Sequence, residues 1–232
     1  MLPIAVLAGG LATRLGSLTK DFPKCLIEIC GKPFVDWQIE LLRKAGYTDL
    51  IFCISYKSEL VQNYLGDGSK WGVSIQYSLD GDTQLGTGGA IKKALPLLGE
   101  RFAVIYGDSF LPINYSEVEV KFLNSSFPAL MTVFENENSL DKSNVEFQDG
   151  QILEYAKTSE NLLMRHIDYG LTYFQASAFN KYGGHSNFDL ADLCTDLSKM
   201  GKLGGFEVHE RFYEIGSIFG INDLSNYLGK AK

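Results

Sequence analysis

Apolar runs alternate with amphipathic stretches along the first half of the chain, and this alternation is typical of an α/β protein. The short apolar runs predict strands at residues 3–8, 50–55, 73–78 and 102–106. The amphipathic stretches predict helices at residues 34–45, 59–65 and 89–98. Because strands and helices at this spacing form βαβ crossovers, the pattern predicts a doubly wound, mostly parallel sheet with functional groups at the carboxyl ends of its strands.

The second half of the chain has a different pattern. Strand-like segments occur at residues 129–135, 145–148, 152–155 and 171–175, with few helical stretches between them. We therefore expect an antiparallel extension beside the parallel sheet. Because the sequence contains no proline-rich or serine-rich linker and no internal repeat, we expect one compact unit with two lobes, about 1–125 and about 126–232.

Composition places the chain among ordinary globular proteins and limits its partners. The 232 residues are 45% hydrophobic and 12% aromatic, which is enough apolar material for a substantial core. The 28 acidic and 21 basic residues give a formal net charge of −7, which argues against a protein that coats nucleic acid or binds an anionic membrane. No apolar run reaches the ~18 residues of a membrane span. The first predicted strand begins close to Met1, so we expect a cytoplasmic protein.

Glycines cluster where the predicted strands and helices meet. The chain has 24 glycines, and a pair such as Gly9-Gly10 is typical of a turn in which a ligand approaches the backbone closely. Backbone N–H groups in this turn can bind phosphate, and Arg14 and Lys24 follow it. These cations are compatible with one polyphosphate site, although each of them alone is also typical of a solvated surface charge. The sequence has neither a P-loop nor a G-x-G-x-x-G motif after the first strand.

Two acidic residues are candidates for a metal site. Asp108 follows the apolar run at 102–106, and at the tip of a buried strand it can hold Mg²⁺ or cap the next turn. Glu214 lies among apolar residues, and a buried acid needs a partner, for which a shared metal ion is one candidate. The 3 histidines are too few for a His-rich metal cluster, and no G-x-S-x-G motif is present. The sequence therefore disfavours zinc and serine hydrolases.

An ordered set of motifs gives the sequence a family resemblance. The motifs are Leu7-Ala-Gly-Gly-x-x-Thr-Arg-Leu15, Pro23-Lys24, Gly31-Lys32-Pro33-Phe34, Leu85-Gly-Thr-Gly-Gly-Ala90, Gly107-Asp108 and Tyr213-Glu-Ile-Gly216. With them the chain resembles the sugar-1-phosphate nucleotidylyltransferases, and in particular the bacterial branch similar to heptose-1-phosphate guanylyltransferases. The motifs extend over nearly the whole chain in the expected order.

The resemblance implies a fold and a reaction. The family fold is a Rossmann-like sheet of the GT-A type with a small antiparallel sugar-binding extension, which agrees with the pattern described above. The family reaction transfers a nucleotidyl group from a nucleoside triphosphate to a sugar 1-phosphate, with Mg²⁺ as cofactor, and gives an NDP-sugar and pyrophosphate. Such a transfer requires in-line positioning and stabilisation of negative charge. The lobe at 1–125 would bind the nucleotide, and the lobe at 126–232 would bind the sugar.

The resemblance also implies roles for particular residues. Arg14 and Lys24 would be the catalytic cations, and Asp108 and Glu214 would be the Mg²⁺ ligands. The implied nucleotide-binding residues are Leu7, Ala8, Gly9, Gly10, Gln84 and Gly88. The implied sugar-phosphate-binding residues are Lys157, Asp168, Tyr169 and Gly170. The expected partners are a nucleoside triphosphate and a sugar 1-phosphate, with no nucleic acid and no membrane, and homo-oligomerisation stays open.

Departures from the family pattern leave alternatives open. Ala12 stands in place of a loop glycine, Ala156 in place of a glutamate before the lysine, and Glu214 in place of the commoner aspartate. The resemblance favours GTP and a heptose 1-phosphate as substrates, with cytidylyl or uridylyl transfer to another sugar phosphate as the alternative. A non-catalytic subunit that binds a nucleotide sugar is a further alternative. A nicotinamide-dependent oxidoreductase is disfavoured because the dinucleotide glycines are missing.

Overall fold

The computed structural model describes residues 1–10, 22–55, 57–81, 83–157, 161–184 and 186–230. The strands are β1 (Ile4–Leu7), β2 (Glu28–Ile29), β3 (Lys32–Pro33), β4 (Asp49–Ile54), β5 (Ser74–Leu79), β6 (Arg101–Tyr106), β7 (Ser109–Phe110), β8 (Ala129–Glu135), β9 (Val145–Gln148), β10 (Gln151–Tyr155), β11 (His166–Gln175), β12 (Leu203–Val208) and β13 (Tyr213–Glu214). The α-helices are α1 (Phe34–Lys44), α2 (Ser58–Leu65), α3 (Gly86–Leu98), α4 (Tyr115–Leu123), α5 (Leu190–Lys199) and α6 (Ile218–Lys230). Within these ranges, no helix combines the length and the apolarity needed to cross a membrane.

A nine-stranded sheet runs through the described residues in the order β5-β4-β1-β6-β11-β8-β12-β10-β9. Strands β5, β4, β1 and β6 are parallel, β11 is antiparallel to β6 and β8, and β12 is parallel to β8. Strands β10 and β9 complete the sheet as antiparallel strands. The predicted fold class, a doubly wound mixed α/β sheet with an antiparallel extension, is confirmed. The division into two lobes stays a prediction.

The side chains of β1 alternate between two core layers. Ile4 and Val6 pack into the layer under α1, α2 and α4, and Ala5 packs into the layer under α3 and α5. Because both faces of this strand are covered, its sequence is a continuous apolar run rather than an alternating one. Along β1, polar groups that could act on a ligand are therefore expected only at the end of the strand.

A small antiparallel pair brings the end of the chain back to the tip of β6. Strand β13 pairs with β7, which follows β6 closely, and α6 packs on this pair through Leu224 and Leu228. The sequence analysis missed α6, since its Gly220 and Gly229 lower the local helix propensity. Burial of the two leucines stabilises the helix instead. A Cβ atom on Gly220 would lie 2.0 Å from the carbonyl oxygen of Glu214, so only glycine allows this close packing.

Helix α3 begins at Gly86, earlier than the predicted start at residue 89. The glycines of this cluster lie against the segment 186–188 rather than in an open turn. A Cβ atom on Gly88 would lie 2.3 Å from the ring of Phe188, and one on Gly89 would lie 2.4 Å from the carbonyl oxygen of Ser186. These glycines therefore allow the start of α3 to pack directly on the segment that leads into α5, another helix that the sequence analysis missed.

Candidate active site

A pocket of about 280 Å³ opens at the carboxyl ends of β1, β4, β5 and β6. In a doubly wound sheet, this end of the parallel strands is where ligands bind. The predicted residues that line the pocket are Leu7, Ala8, Gly9, Gly10, Lys24, Gln84 and Asp108. The structure thus brings the predicted nucleotide-binding turn, one predicted catalytic cation and one predicted metal ligand together in one cavity.

The turn after β1 is fixed in place by contacts with the neighbouring strand ends. The hydroxyl of Ser55 donates a hydrogen bond of 2.8 Å to the carbonyl oxygen of Gly9. On the other side, the N–H of Gly107 donates to the carbonyl oxygen of Leu7 at 2.9 Å, and a Cβ atom on Gly107 would lie 2.8 Å from that oxygen. Among the residues that the structure describes, nothing lies within 4 Å of the position that a Cβ atom on Gly10 would occupy. The described part of the chain therefore leaves this side of the Gly10 backbone accessible from the first pocket.

The ammonium group of Lys24 enters the pocket from a short 3-10 turn, Lys24–Leu26. It forms an ion pair with the carboxylate of Asp108, which follows β6. The side chains are 18% and 32% exposed, so the pair is shielded from bulk water without being sealed off. A partly buried cation and carboxylate at the same strand end can act on a charged substrate with little screening.

Glu214 lies beside Asp108 because the backbone of β13 is hydrogen-bonded to this turn. Glu214 is opposite Ser109 in the β7–β13 pair, and the N–H of Ile215 donates to the carbonyl oxygen of Asp108 at 3.0 Å. Part of Glu214 is exposed, but burial of its carboxyl group by the surrounding protein raises the pKa of Glu214 to about 7. The negative charge of Asp108 raises it further, and the charge of Lys24 lowers it. The two acids therefore repel each other.

The donor set at Asp108 and Glu214 fits the predicted Mg²⁺ site. Mg²⁺ takes oxygen ligands, often from one or two carboxylates together with substrate phosphates and water. A divalent cation between these carboxylates would remove the repulsion that raises the pKa of Glu214. Among the residues that the structure describes, no group of three or more His, Cys, Asp and Glu side chains has the arrangement of a metal site. A two-carboxylate site that is completed by substrate oxygens is compatible with this finding.

A second pocket of about 210 Å³ is lined in part by Glu214. Its polar lining includes Asp141, Asp168, Arg211 and Glu214, and its apolar lining includes Ile167, Phe212 and Phe219. Arg211 forms an ion pair with Asp223, so the other carboxylates leave the lining negatively charged. Glu214 is electrostatically coupled to both Asp108 and Asp168. Of the two acids predicted to bind the metal ion, Asp108 therefore lines the first pocket and Glu214 lines the second.

Two of the predicted sugar-phosphate residues, Lys157 and Asp168, are electrostatically coupled, and Asp168 lines the second pocket. Lys157 follows β10 and forms an ion pair with Asp189. Asp168 accepts hydrogen bonds from the N–H of Gly170 at 2.9 Å and from the hydroxyl of Tyr155 at 3.4 Å. Burial raises the pKa of Asp168 to about 6, although these hydrogen bonds and the charge of Lys157 act in the opposite direction. Asp168 is thus a weakly acidic carboxylate in the lining of the second pocket.

The structure places two of the predicted site residues elsewhere. Tyr169 is 1% exposed and packs edge-on against Phe212 at 5.5 Å between ring centroids, within the core layer under α1, α2 and α4. It lies on the face of β11 opposite to Asp168, since neighbouring strand residues alternate. Gly88 packs against Phe188 and does not line the first pocket. Arg14 lies outside the described residues.

Other residues of the first pocket were missed by the sequence analysis. They are Ser55 after β4, Asp80 after β5, Tyr106 at the end of β6 and Thr87 in the first turn of α3. The rule that functional groups follow the carboxyl ends of parallel strands would have found Ser55 and Asp80. Burial, followed by the charge of Asp168, raises the pKa of Tyr106 well above its usual value. Tyr106 is therefore a neutral hydrogen-bonding group in this wall.

Comparison with known proteins identifies the family. The sequence profile of the nucleotidyl transferase family matches residues 4–149. The chain belongs to the nucleotidyl transferase family. The matched region contains the turn after β1, Lys24, Gln84 and Asp108, which together line the first pocket.

Individual relatives narrow this assignment. D-glycero-alpha-D-manno-heptose 1-phosphate guanylyltransferase of Campylobacter jejuni is 31% identical over 214 residues, which cover 91% of this chain and 93% of the relative. N-acetylmuramate alpha-1-phosphate uridylyltransferase of Neisseria meningitidis is 38% identical over 112 residues, or 48% of each protein. The crystal structure of HddC from Yersinia pseudotuberculosis complexed with GMP-PN has the same fold, with a TM-score of 0.83 and 24% identity, and the match covers 98% of this chain and 100% of that one. The predicted membership of the sugar-1-phosphate nucleotidylyltransferases is confirmed.

Proposed function

We propose that this nucleotidyl transferase uses GTP and a heptose 1-phosphate and produces a GDP-heptose and pyrophosphate. The observation that carries the reaction type is that Asp108, which lines the first pocket with Lys24, is adjacent to Glu214, which lines the second pocket. A transfer between two substrates needs both of them in contact with the same charged groups. The choice of GTP and heptose rests on the relative from Campylobacter jejuni and on the base-binding argument below.

The first pocket would hold the nucleoside triphosphate. Backbone N–H groups of the turn at Gly9 and Gly10 are suited to the phosphates, since this turn lines the pocket and follows a parallel strand. Lys24 would lie near the α-phosphate, because its ion pair with Asp108 fixes the ammonium group at the end of β6. Arg14 stays a predicted second cation for the triphosphate.

Asp80 gives a physical reason for guanine. It lines the first pocket beside Gln84, and it accepts a hydrogen bond of 3.3 Å from the N–H of Leu85. A carboxylate only accepts hydrogen bonds. The pairing edge of guanine offers two neighbouring N–H donors to it, whereas uracil offers one and cytosine presents an acceptor beside its amino group. Asp80 would therefore favour guanine over both pyrimidines.

The second pocket would hold the sugar. Carboxylates such as Asp141 and Asp168 are suitable acceptors for sugar hydroxyls, and the exposed ring of Phe219 offers an apolar surface for the C–H face of a sugar. The phosphate of the sugar would lie toward Lys157 and Lys24. Because the lining is acidic, a sugar with an additional carboxylate would be repelled. We therefore propose an uncharged, polyhydroxylated sugar as the natural substrate.

In the proposed reaction, an oxygen of the sugar phosphate attacks the α-phosphorus of GTP in line with the bond to the bridging oxygen. The new phosphorus–oxygen bond forms as the bond to pyrophosphate breaks. Lys24 stabilises the negative charge on the α-phosphate oxygens, and the backbone N–H groups at Gly9 and Gly10 hold the leaving group. Asp108 and Glu214 would hold Mg²⁺, which neutralises substrate oxygens when bound. The chain itself supplies positioning and charge stabilisation.

The test of substrate choice is pyrophosphate release from each of GTP, CTP, UTP and dTTP with a panel of sugar 1-phosphates and Mg²⁺. We expect GTP and D-glycero-α-D-manno-heptose 1-phosphate to be the best pair. Faster turnover of CTP or UTP would favour the alternative of cytidylyl or uridylyl transfer. Tight binding of GDP-heptose without turnover of any pair would indicate a non-catalytic subunit.

The charge of the sugar is tested with two inhibitors that differ in a single group. Glucose 1-phosphate carries a CH₂OH group where glucuronic acid 1-phosphate carries a carboxylate. We expect glucose 1-phosphate to be the stronger competitor against the heptose substrate, and the Asp141→Asn variant to reduce the difference. Equal inhibition by the two compounds would contradict the placement of the sugar in the second pocket.

The cytoplasmic location and a homo-oligomeric state stay predictions.

A further inference from the structure

Asp189 contacts both Thr87 of the first pocket and Lys157, although it lies far from both in the sequence. It is the N-cap residue of α5, and its carboxylate accepts a hydrogen bond of 3.1 Å from the N–H of Ala191. The carboxylate of Asp192 accepts in return from the N–H of Asp189 at 3.3 Å, which completes a capping box. The local sequence therefore accounts for one of the functions of Asp189, which is to begin a helix.

The first connection of Asp189 leads to the nucleotide pocket. Thr87, which lines that pocket, donates its hydroxyl to a carboxylate oxygen of Asp189 at 2.7 Å and accepts from the N–H of Leu190 at 2.8 Å. Backbone bonds extend the contact, since the N–H of Gly88 donates to the carbonyl oxygen of Phe188 at 3.0 Å. The start of α3 and the start of α5 are thus fixed to each other.

The second connection of Asp189 leads to the sugar-phosphate lysine. Its other carboxylate oxygen forms an ion pair with the ammonium group of Lys157. Burial alone would raise the pKa of Asp189, but the hydrogen bonds from Lys157 and Thr87 outweigh burial and hold the pKa below its usual value. Asp189 is therefore a stable anion in contact with both residues.

We infer that Asp189 is a positioning residue that holds the Lys157 ammonium group at the sugar-phosphate site and fixes it to the nucleotide pocket through Thr87. This inference rests on the proposed function. The side chain of Lys157 is 58% exposed, and a free lysine at such a position samples many rotamers, each with the ammonium group in a different place. A lysine that is already oriented loses less conformational entropy when a phosphate binds. An ammonium group has three donors, so Lys157 can keep Asp189 and still bind a phosphate oxygen.

The helix cap does not explain the ion pair. Capping and the bond from Thr87 use the oxygen Oδ1, whereas Lys157 binds Oδ2. Asparagine caps helices about as well as aspartate does and keeps an acceptor oxygen for Thr87. The Asp189→Asn variant therefore removes the charge that faces Lys157 and preserves both structural contacts. This separation makes the inference testable by kinetics.

The experiment compares Asp189→Asn with Asp192→Asn in pyrophosphate release from GTP and D-glycero-α-D-manno-heptose 1-phosphate. Asp192→Asn is the matched control, because it alters the same capping box at a residue with no contact to Lys157 among those the structure describes. We expect Asp189→Asn to raise the KM for the sugar phosphate by at least ~5-fold with little change in kcat or in the KM for GTP, which is the pattern of a lost binding contact. The control should stay near wild type in all of these constants.

A double-mutant cycle with Lys157→Met separates positioning from a structural effect. In the Lys157→Met background, we expect Asp189→Asn to leave the KM for the sugar phosphate unchanged. An equal effect of Asp189→Asn in both backgrounds would overturn the inference, as would an unchanged or lowered KM in the single variant. A wild-type protein that releases no pyrophosphate would instead overturn the proposed function, so the two failures are distinguishable.

Discussion

The ammonium group of Lys24 forms an ion pair with the carboxylate of Asp108 at the carboxyl end of β6. The pair connects the 3-10 turn Lys24–Leu26 to the strand end that lines the first pocket. If Lys24 stabilises charge on the α-phosphate, Lys24→Met should lower kcat by at least ~100-fold, the usual effect of losing a main electrostatic contact. Steady-state pyrophosphate release measures this effect.

The control for this variant is Lys32→Met. Lys32 also forms an ion pair, with Glu40, and its ammonium group lies 3.8 Å from the ring centroid of Trp37, but it does not line either pocket. We expect a kcat close to that of wild type for Lys32→Met. Similar losses in both variants would show that the effect comes from general destabilisation rather than from a catalytic role of Lys24.

Substitution by alanine should affect the stability of the protein differently at two glycines of the predicted nucleotide-binding set. A Cβ atom on Gly88 would lie 2.3 Å from the Phe188 ring, whereas the corresponding position on Gly10 has no described atom within 4 Å. We expect Gly88→Ala to lower the free energy of unfolding by ~2–3 kcal/mol through overpacking. Gly10→Ala should change stability by less than ~0.5 kcal/mol. Urea unfolding of both variants checks this, and equal stabilities would contradict the packing role of Gly88.

The guanine preference should depend on Asp80. Asp80→Asn replaces one acceptor oxygen by a donor, so we expect kcat/KM for GTP to fall by ~10–100-fold while the value for UTP changes less. Asp49→Asn is a suitable control, because Asp49 is an exposed aspartate that begins β4 at the opposite end of that strand. Parallel losses with GTP and UTP in Asp80→Asn would show that Asp80 does not recognise the base.

The stability of the protein should depend on pH through Asp168. Burial raises its pKa to about 6 in the folded state, whereas an unfolded aspartate titrates near ~4. The carboxyl group of Asp168 therefore binds its proton more tightly in the folded state than in the unfolded state. Its contribution to the free energy of unfolding falls as pH rises from ~4 to ~6 and is constant above that range.

The Asp168→Asn variant removes this ionisation. Relative to wild type, the variant should become more stable by up to ~3 kcal/mol between pH ~4 and pH ~7.5, since two pKa units correspond to that free energy. Urea unfolding of both proteins across this range measures the difference. A difference that does not change with pH would show that Asp168 titrates normally in the folded protein.

Much of the fold follows from local patterns in the sequence. The strands at Ala129–Glu135 and Val145–Gln148 have the predicted bounds, because apolar runs that end in turn residues specify them locally. Helix α6 could not be predicted in this way, since its stability comes from packing on the β7–β13 pair. This pair joins segments far apart in the sequence, and hydrophobic periodicity carries no information about which segments meet.

The candidate site was predictable where a residue follows a parallel strand. Gly9 and Asp108 follow β1 and β6, and both line the first pocket. The family resemblance assigned Tyr169 to the sugar together with Asp168, but consecutive residues of a strand face opposite sides, and the ring of Tyr169 is buried in the core. Asp189 gave no signal, because its sequence context is that of a helix cap and its other partners lie on distant segments.

The most direct test of the account is pyrophosphate release from GTP and D-glycero-α-D-manno-heptose 1-phosphate with Mg²⁺, in wild type and in Asp108→Asn. We expect release that requires both substrates and that falls by at least ~100-fold in the variant. No release from folded wild-type protein with any nucleoside triphosphate and sugar 1-phosphate would contradict it, and so would release that does not depend on the sugar phosphate.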